Sequence, residues 1–187
     1  ERNAFADIFA TATRAPERLG DEIAALPGVA SVETRISQRA VLDIEGMTEP
    51  GTGILVSVPD DGEQVLNRLY MRLGRLPTPG HPDEVVVNEP FADAHGFAPG
   101  DSFGAVINGR KRQLTIVGVA LSPEFIYAVA DLFPDDRRLG VVWMSRTALA
   151  AAFDLEGAFS SVAVRLLRDQ PAEPVIEGID RLLEPFG

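Results

Sequence analysis

The chain has 187 residues, 45% hydrophobic and 24% charged, enough for one sizeable core or two small subdomains and unlike the composition of a disordered tail. Its net charge of −11, from 28 acids against 17 basic residues, sets it against nucleic-acid phosphates and anionic headgroups as partners. With no cysteine, it has no disulfide framework, thiolate metal site or cysteine nucleophile.

Phe5, Asp7 and Phe9 alternate with Ala4, Ala6, Ile8 and Ala10, which predicts a strand over residues 2–13. Pro16 suits a first helical turn, and Leu19, Ile23 and Leu26 mark the buried stripe of a helix that Pro27-Gly28 ends. A strand follows from Val29, with Val32, Thr34 and Ile36 on one face, and short strands are expected at 40–44 and 54–58. Residues 59–83 hold Pro59-Asp60-Asp61-Gly62 and Pro77-Thr78-Pro79-Gly80-His81-Pro82 and read as loop. Val85–Val87 is a short buried strand. Asn88 is placed to cap a helix through Phe91 and His95 that Gly96 closes in the left-handed conformation. Asn108-Gly109, between Ala105–Ile107 and a second β run through Val119, predicts a type I′ hairpin turn. Strands at 141–144 and 161–167 flank a helix capped by Ser145, and Val175, Ile179 and Leu183 mark a last helix over 172–184. A second strand–helix–strand unit would need a further strand after Pro185. The expected architecture is α+β, with one subdomain from the two chain ends and a β-rich insert between them.

No run approaches ~18 uninterrupted apolar residues, and no basic segment precedes an apolar signal core. The first residue is Glu1, so a fragment or processed product is expected. Residues for chemistry are scarce. There is no phosphate-binding loop: Lys111, the only lysine, is followed by Arg112 on a hairpin strand, and Arg110-Lys111-Arg112 reads as a solvated edge. No Gly-x-Ser-x-Gly elbow exists, and His81 and His95 fall in different elements, too far apart for one helical metal site. Asp60-Asp61-x-Glu63, Asp83-Glu84 and Asp135-Asp136 match no calcium loop and read as turn caps. We expect no catalytic residue, cofactor or metal. The Ser122–Tyr127 stretch combines a turn with two aromatics. Phe125 and Tyr127 are candidate contacts for a partner or substrate, against the plainer reading that they seal a core.

Several segments, in order, carry a resemblance. They are Leu26-Pro27-Gly28-Val29, then Leu73-Gly74-Arg75-Leu76-Pro77 with Pro79-Gly80, and Glu84-Val85-Val86-Val87-Asn88-Glu89 leading to Gly96 and Gly100-Asp101. Ile116-Val117-Gly118-Val119-Ala120 and Ser161-Val162-Ala163-Val164-Arg165 complete the series. Their order and spacing resemble the periplasmic core domain of MacB-like and FtsX-like ABC transporter permeases, the superfamily that includes the lipoprotein-release permeases LolC and LolE. The Ser122–Tyr127 stretch looks like a variant found in its long, two-repeat members.

The resemblance implies a porter-like subdomain of strand–helix–strand units from residues 1–58 and 158–187, the second part incomplete, and a β-rich, sabre-like insert over 59–157. It implies an inner-membrane permease whose domain lies on the periplasmic or extracellular side. Partners would be a cytoplasmic ATP-binding subunit, reached through transmembrane helices, and a second permease copy or paralogue. The domain would transmit ATP-driven motion to export or release a lipoprotein, lipid or peptide, or to activate an envelope partner. Two other readings stand beside it: a free-standing periplasmic binding module for a lipid, peptide or lipoprotein, and a small hydrolase using an acidic pair.

Overall fold

The chain passes from one sheet into another at Ile36, and each side of that crossing builds its own core. The computed structural model describes residues 4–125 and 135–187. In chain order its elements are β1 (Ile8–Pro16), α1 (Arg18–Ala24), β2 (Val29–Arg35), β3 (Ser37–Asp43), β4 (Gly51–Val58), β5 (Tyr70–Gly74), β6 (Glu84–Asn88) and α2 (Glu89–His95). They continue with β7 (Ser102–Ile107), β8 (Arg110–Leu121), β9 (Leu139–Ser145), α3 (Arg146–Phe153), β10 (Ala158–Leu166), α4 (Glu173–Leu183) and a single 3₁₀ turn over Glu184–Phe186.

The chain ends build a three-stranded antiparallel sheet in the order β1-β10-β2. Leu19 and Ile23 of α1 and Val175 and Ile179 of α4 press onto one face, against Ile8, Val162 and Val164. The 3.6-residue spacing of those apolar positions is why these segments are helical. The opposite face carries Ala163, with Ala6 and Leu66 laid over it.

The remaining strands form a sheet in the order β5-β8-β6-β9-β4-β3-β7, and β7 also pairs with β8. That extra pairing closes β3, β4, β9, β6, β8 and β7 into a six-stranded barrel. The long β8 makes closure possible: its first half pairs with β7, its second half pairs with β5 on the same edge, and β6 takes the other edge. Asn108 and Gly109 have φ of 48° and 77°, as a type I′ turn requires, and so hold β7 and β8 in register. Leu42, Leu55, Phe91, Phe103, Leu114 and Ile116 are among the side chains filling the interior. A second apolar layer on the outer wall groups Val56, Val86, Val141 and Trp143. The unbroken apolar run of β9 reflects this, for every residue of it is buried, alternately inside and outside the barrel.

Three sequence expectations change here. Residues 37–58, expected with the chain-end subdomain, pair with β7 and β9 instead, so the sheets divide the chain at Ile36 and not at residue 58. The turn residues at 59–62 mark a loop inside the barrel unit, whereas the true crossing is extended chain without punctuation. β5, exposed along most of its length, lies inside the segment expected to be loop. Asn88 does not cap α2 with its side chain: its Oδ1 accepts the Val141 N–H at 2.8 Å, joining β6 to β9. Gly96 does close that helix at φ 66°, and the Ser145 hydroxyl accepts the Ala148 N–H at the start of α3.

The clasp between β5 and β8 depends on two facing glycines, Gly74 and Gly118. A Cβ at Gly118 would lie 2.5 Å from the Arg75 carbonyl oxygen and 2.7 Å from the Met71 methyl. Gly118→Ala should therefore cost about 1–3 kcal/mol through forced backbone displacement. In urea denaturation the midpoint should fall with the slope unchanged.

Candidate functional site: the seam between the sheets

Strand alternation gives β2 two working faces. Val32 packs toward α1 and α4, while Glu33 and Arg35 point from the other face toward segments that belong with the barrel. Glu33 is only 8% exposed, and its Oε2 accepts the Leu66 N–H at 2.6 Å. Burial raises the Glu33 pKa above the ordinary glutamate value. The Leu66 hydrogen bond and the Arg35 charge oppose that rise, and the Glu124 charge adds to it.

Arg35 grips Glu124 with two guanidinium nitrogens, at 2.6 and 3.0 Å, and reaches the Ser161 hydroxyl at 3.3 Å. Its guanidinium carbon lies 5.7 Å from the Phe9 ring centroid, and its Nε is buried without a partner among the described residues. Asn67, at φ 47°, completes the set. Its N–H donates to the Ala4 carbonyl, its Oδ1 accepts the Ala6 N–H at 3.1 Å, and its Nδ2 donates to Glu124 at 3.4 Å. Three separate stretches, 4–6, 64–69 and 122–125, thus converge on one face of the three-stranded sheet.

The other face is tied as well. Arg146, at the start of α3, donates to the Thr34 and Ala158 carbonyls and pairs with Glu17, which precedes α1. At the crossing, the Ile36 N–H donates to the Ser57 hydroxyl and the Ser57 N–H returns a bond to the Ile36 carbonyl, each 2.9 Å. Ser160 clasps the next residue the same way: its hydroxyl oxygen accepts the Ser37 N–H at 2.9 Å and donates to the Ser37 carbonyl at 3.1 Å. Ile36 itself is fully buried in the barrel core.

Of the two candidate contacts read from sequence, Phe125 is half-buried, its ring 6.1 Å and 73° from that of Trp143 on the outer barrel wall. Tyr127 lies outside the described residues. The acidic pairs turn out to serve the fold. Asp60 accepts the Ser145 hydroxyl at 2.6 Å and receives Thr147 at the start of α3. Asp135 pairs with Arg138, and Arg75 grips Glu84 at 2.8 and 3.2 Å. That grip, with the Thr78 N–H, pushes the Glu84 pKa down to about 2. His95 Nε2 lies 2.8 Å from the Arg137 carbonyl. Among the described residues, no group of three or more His, Cys, Asp or Glu side chains is placed to hold a metal, and no helix is long and apolar enough to cross a membrane. The seam residues were missed in sequence. The only signal was two charges, Glu33 and Arg35, at one face of a short strand whose other face carries Val32 and Thr34.

Two outcomes follow from the seam. Glu124→Ala leaves the Arg35 charge buried and unpaired, so unfolding free energy should drop by about 2–4 kcal/mol, read by chemical denaturation. Glu33→Gln keeps an oxygen for Leu66 and removes the buried charge. The raised native pKa means that wild-type stability falls as pH climbs from the ordinary glutamate range through that raised value. The variant should therefore exceed wild type at pH 7 by about 1–2 kcal/mol, with the gap closing toward pH 4.

No protein-family model matches the sequence, and no curated protein matches it. Solved structures do. The extracellular domain of the noncanonical ABC-type transporter YknZ from Gram-positive bacteria superposes with a TM-score of 0.57 at 15% identity, over 92% of this chain and 84% of that one. The periplasmic region of MacB from Actinobacillus actinomycetemcomitans gives a TM-score of 0.52 at 15% identity, over 91% of this chain and 73% of that one. The fold of this chain is therefore that of the extracellular domain of YknZ and the periplasmic region of MacB.

Proposed function

We propose that the chain is the extracytoplasmic domain of an ABC transporter permease and that it works by movement. The observation carrying this reading is a fold shared along nine-tenths of the chain with such domains of two ABC-type transporters. Two separate hydrophobic cores joined by a polar seam suit it, because each unit keeps its own interior when the seam yields. In this reading a cytoplasmic ATP-binding subunit drives membrane helices flanking the domain, and the domain passes that motion to a substrate or an envelope partner. The cargo class is a lipoprotein, lipid or peptide, and a second permease copy or paralogue completes the transporter. Phe125, half-buried beside Trp143, and Tyr127 are the residues assigned to partner contact. No residue of the domain performs chemistry. The coupling is a two-state equilibrium biased from a distant site.

Fractionation of cells expressing the full-length protein tests this, followed by protease added outside spheroplasts. A membrane-bound product cut within residues 1–187 is expected. A soluble product, or a domain shielded in the cytosol, would overturn the permease reading and favour the free-standing binding module.

A further inference from the structure

Among the described residues, Glu33 is the only acidic or basic residue in the buried class, and it has no ion-pair partner. Arg35, its neighbour on the same face, commits its guanidinium to Glu124. The groups facing Glu33 can be taken element by element. Its own strand offers Arg35, and the 122–125 turn offers Glu124. The 64–69 segment brings the Leu66 and Val65 N–H groups and neutral Asn67, and β10 sets Ala163 opposite it. Two carboxylates therefore lie near one guanidinium, which pairs with Glu124, in a site that water does not reach freely. Leu66, which covers Glu33, lies in the segment leading from the barrel unit, so burial of Glu33 depends on that segment being docked.

We propose that Glu33 is a proton-linked latch: the seam closes with uptake of a solvent proton on the Glu33 carboxyl and opens as that proton leaves. This deepens the reading of a moving domain and rests on it. An undocked Glu33 sits in water and ionises like any glutamate. Among the described residues, docking removes that water without supplying a cation, so the neutral acid is the form that the closed state accepts. The protonated carboxyl still has an oxygen for the Leu66 N–H. By linkage, the closed state holds the proton to higher pH than the open one. Closure is therefore favoured below the raised pKa and weakened above it.

The chain has no cysteine, so a single label pair can be placed without background. Glu177 on α4 and Lys111 on the barrel hairpin are both exposed. With Glu177→Cys and Lys111→Cys spin-labelled, electron–electron distance measurements run from pH 4.5 to 8 on this chain. We expect a second distance population that grows with pH, its ratio to the first changing by up to tenfold per pH unit. In Glu33→Gln the first population should persist at every pH. A pH response in Glu33→Gln that tracks wild type, or one unchanging population in wild type, overturns the latch. Carboxyl ¹³C NMR on the wild-type chain gives a check that needs no variant. Glu33 should titrate above the ordinary glutamate range, and titration within or below it also overturns the latch. Both readouts use the chain alone. A latch that stands in a protein found soluble in cells would remove the permease reading and leave the latch intact.

Discussion

Everything in this fold depends on how the backbone crosses from β2 to β3. At Ile36 the chain leaves a three-stranded sheet and enters a barrel without a turn, so one extended run must satisfy the pairing of both. Backbone amides and carbonyls at such a point have lost their ladder on one side and cannot go unpaired when buried. Ser57 and Ser160 resolve this by giving the crossing residues partners through their hydroxyls. The buried Ile36 side chain then anchors the crossing in the barrel core.

Around that crossing the molecule uses two kinds of cohesion. Within each unit the contacts are apolar and closely packed, and loss of a methyl group there is felt. Between the units much of the contact is polar: the Arg35–Glu124 fork, the Arg146 contacts and the Asn67 bridges. Water can replace such bonds at modest net cost, whereas it cannot replace buried hydrocarbon. The Arg35–Glu124 pair adds little net stability and much geometric definition, because a bidentate fork accepts its carboxylate in one orientation. In the proposed reading of a moving domain, such a joint is well defined when closed and can part without unfolding either side.

Most of the elements were legible in the sequence because local chemistry set them. The Asn108-Gly109 turn, the helix closed by Gly96 and the Ser145 cap each follow from one or two residues whose conformational preference dominates. The apolar stripes of α1 and α4 were equally plain. What escaped was non-local. β5 has few buried residues and is a strand because β8 offers it an edge, which no property of residues 70–74 announces. The placement of β3 and β4 in the barrel depends on partners fifty or more residues downstream, and the loop signals after residue 58 mark a corner within one unit. Asn88 was drawn from its capping role by the Val141 N–H of β9, which its side-chain oxygen accepts. The seam was hidden for the same reason: Glu33, Arg35, Asn67 and Glu124 meet only after both units have formed. Surface-like residues then become interior ones.

Closure of the barrel has a mechanical corollary. A sheet with free edges can shear strand past strand, but in a closed ring every register is fixed by its neighbours on both sides, and the six strands turn as one solid. The β3–β7 register, with Val41 opposite Val106 and Asp43 opposite Gly104, brings the tip of the β7–β8 hairpin back beside the start of β3, next to the crossing, and Asn108 ties that tip to the Ala152 carbonyl. The chain thus enters the ring at its rim, braced by a turn that cannot slip unless the ring itself opens.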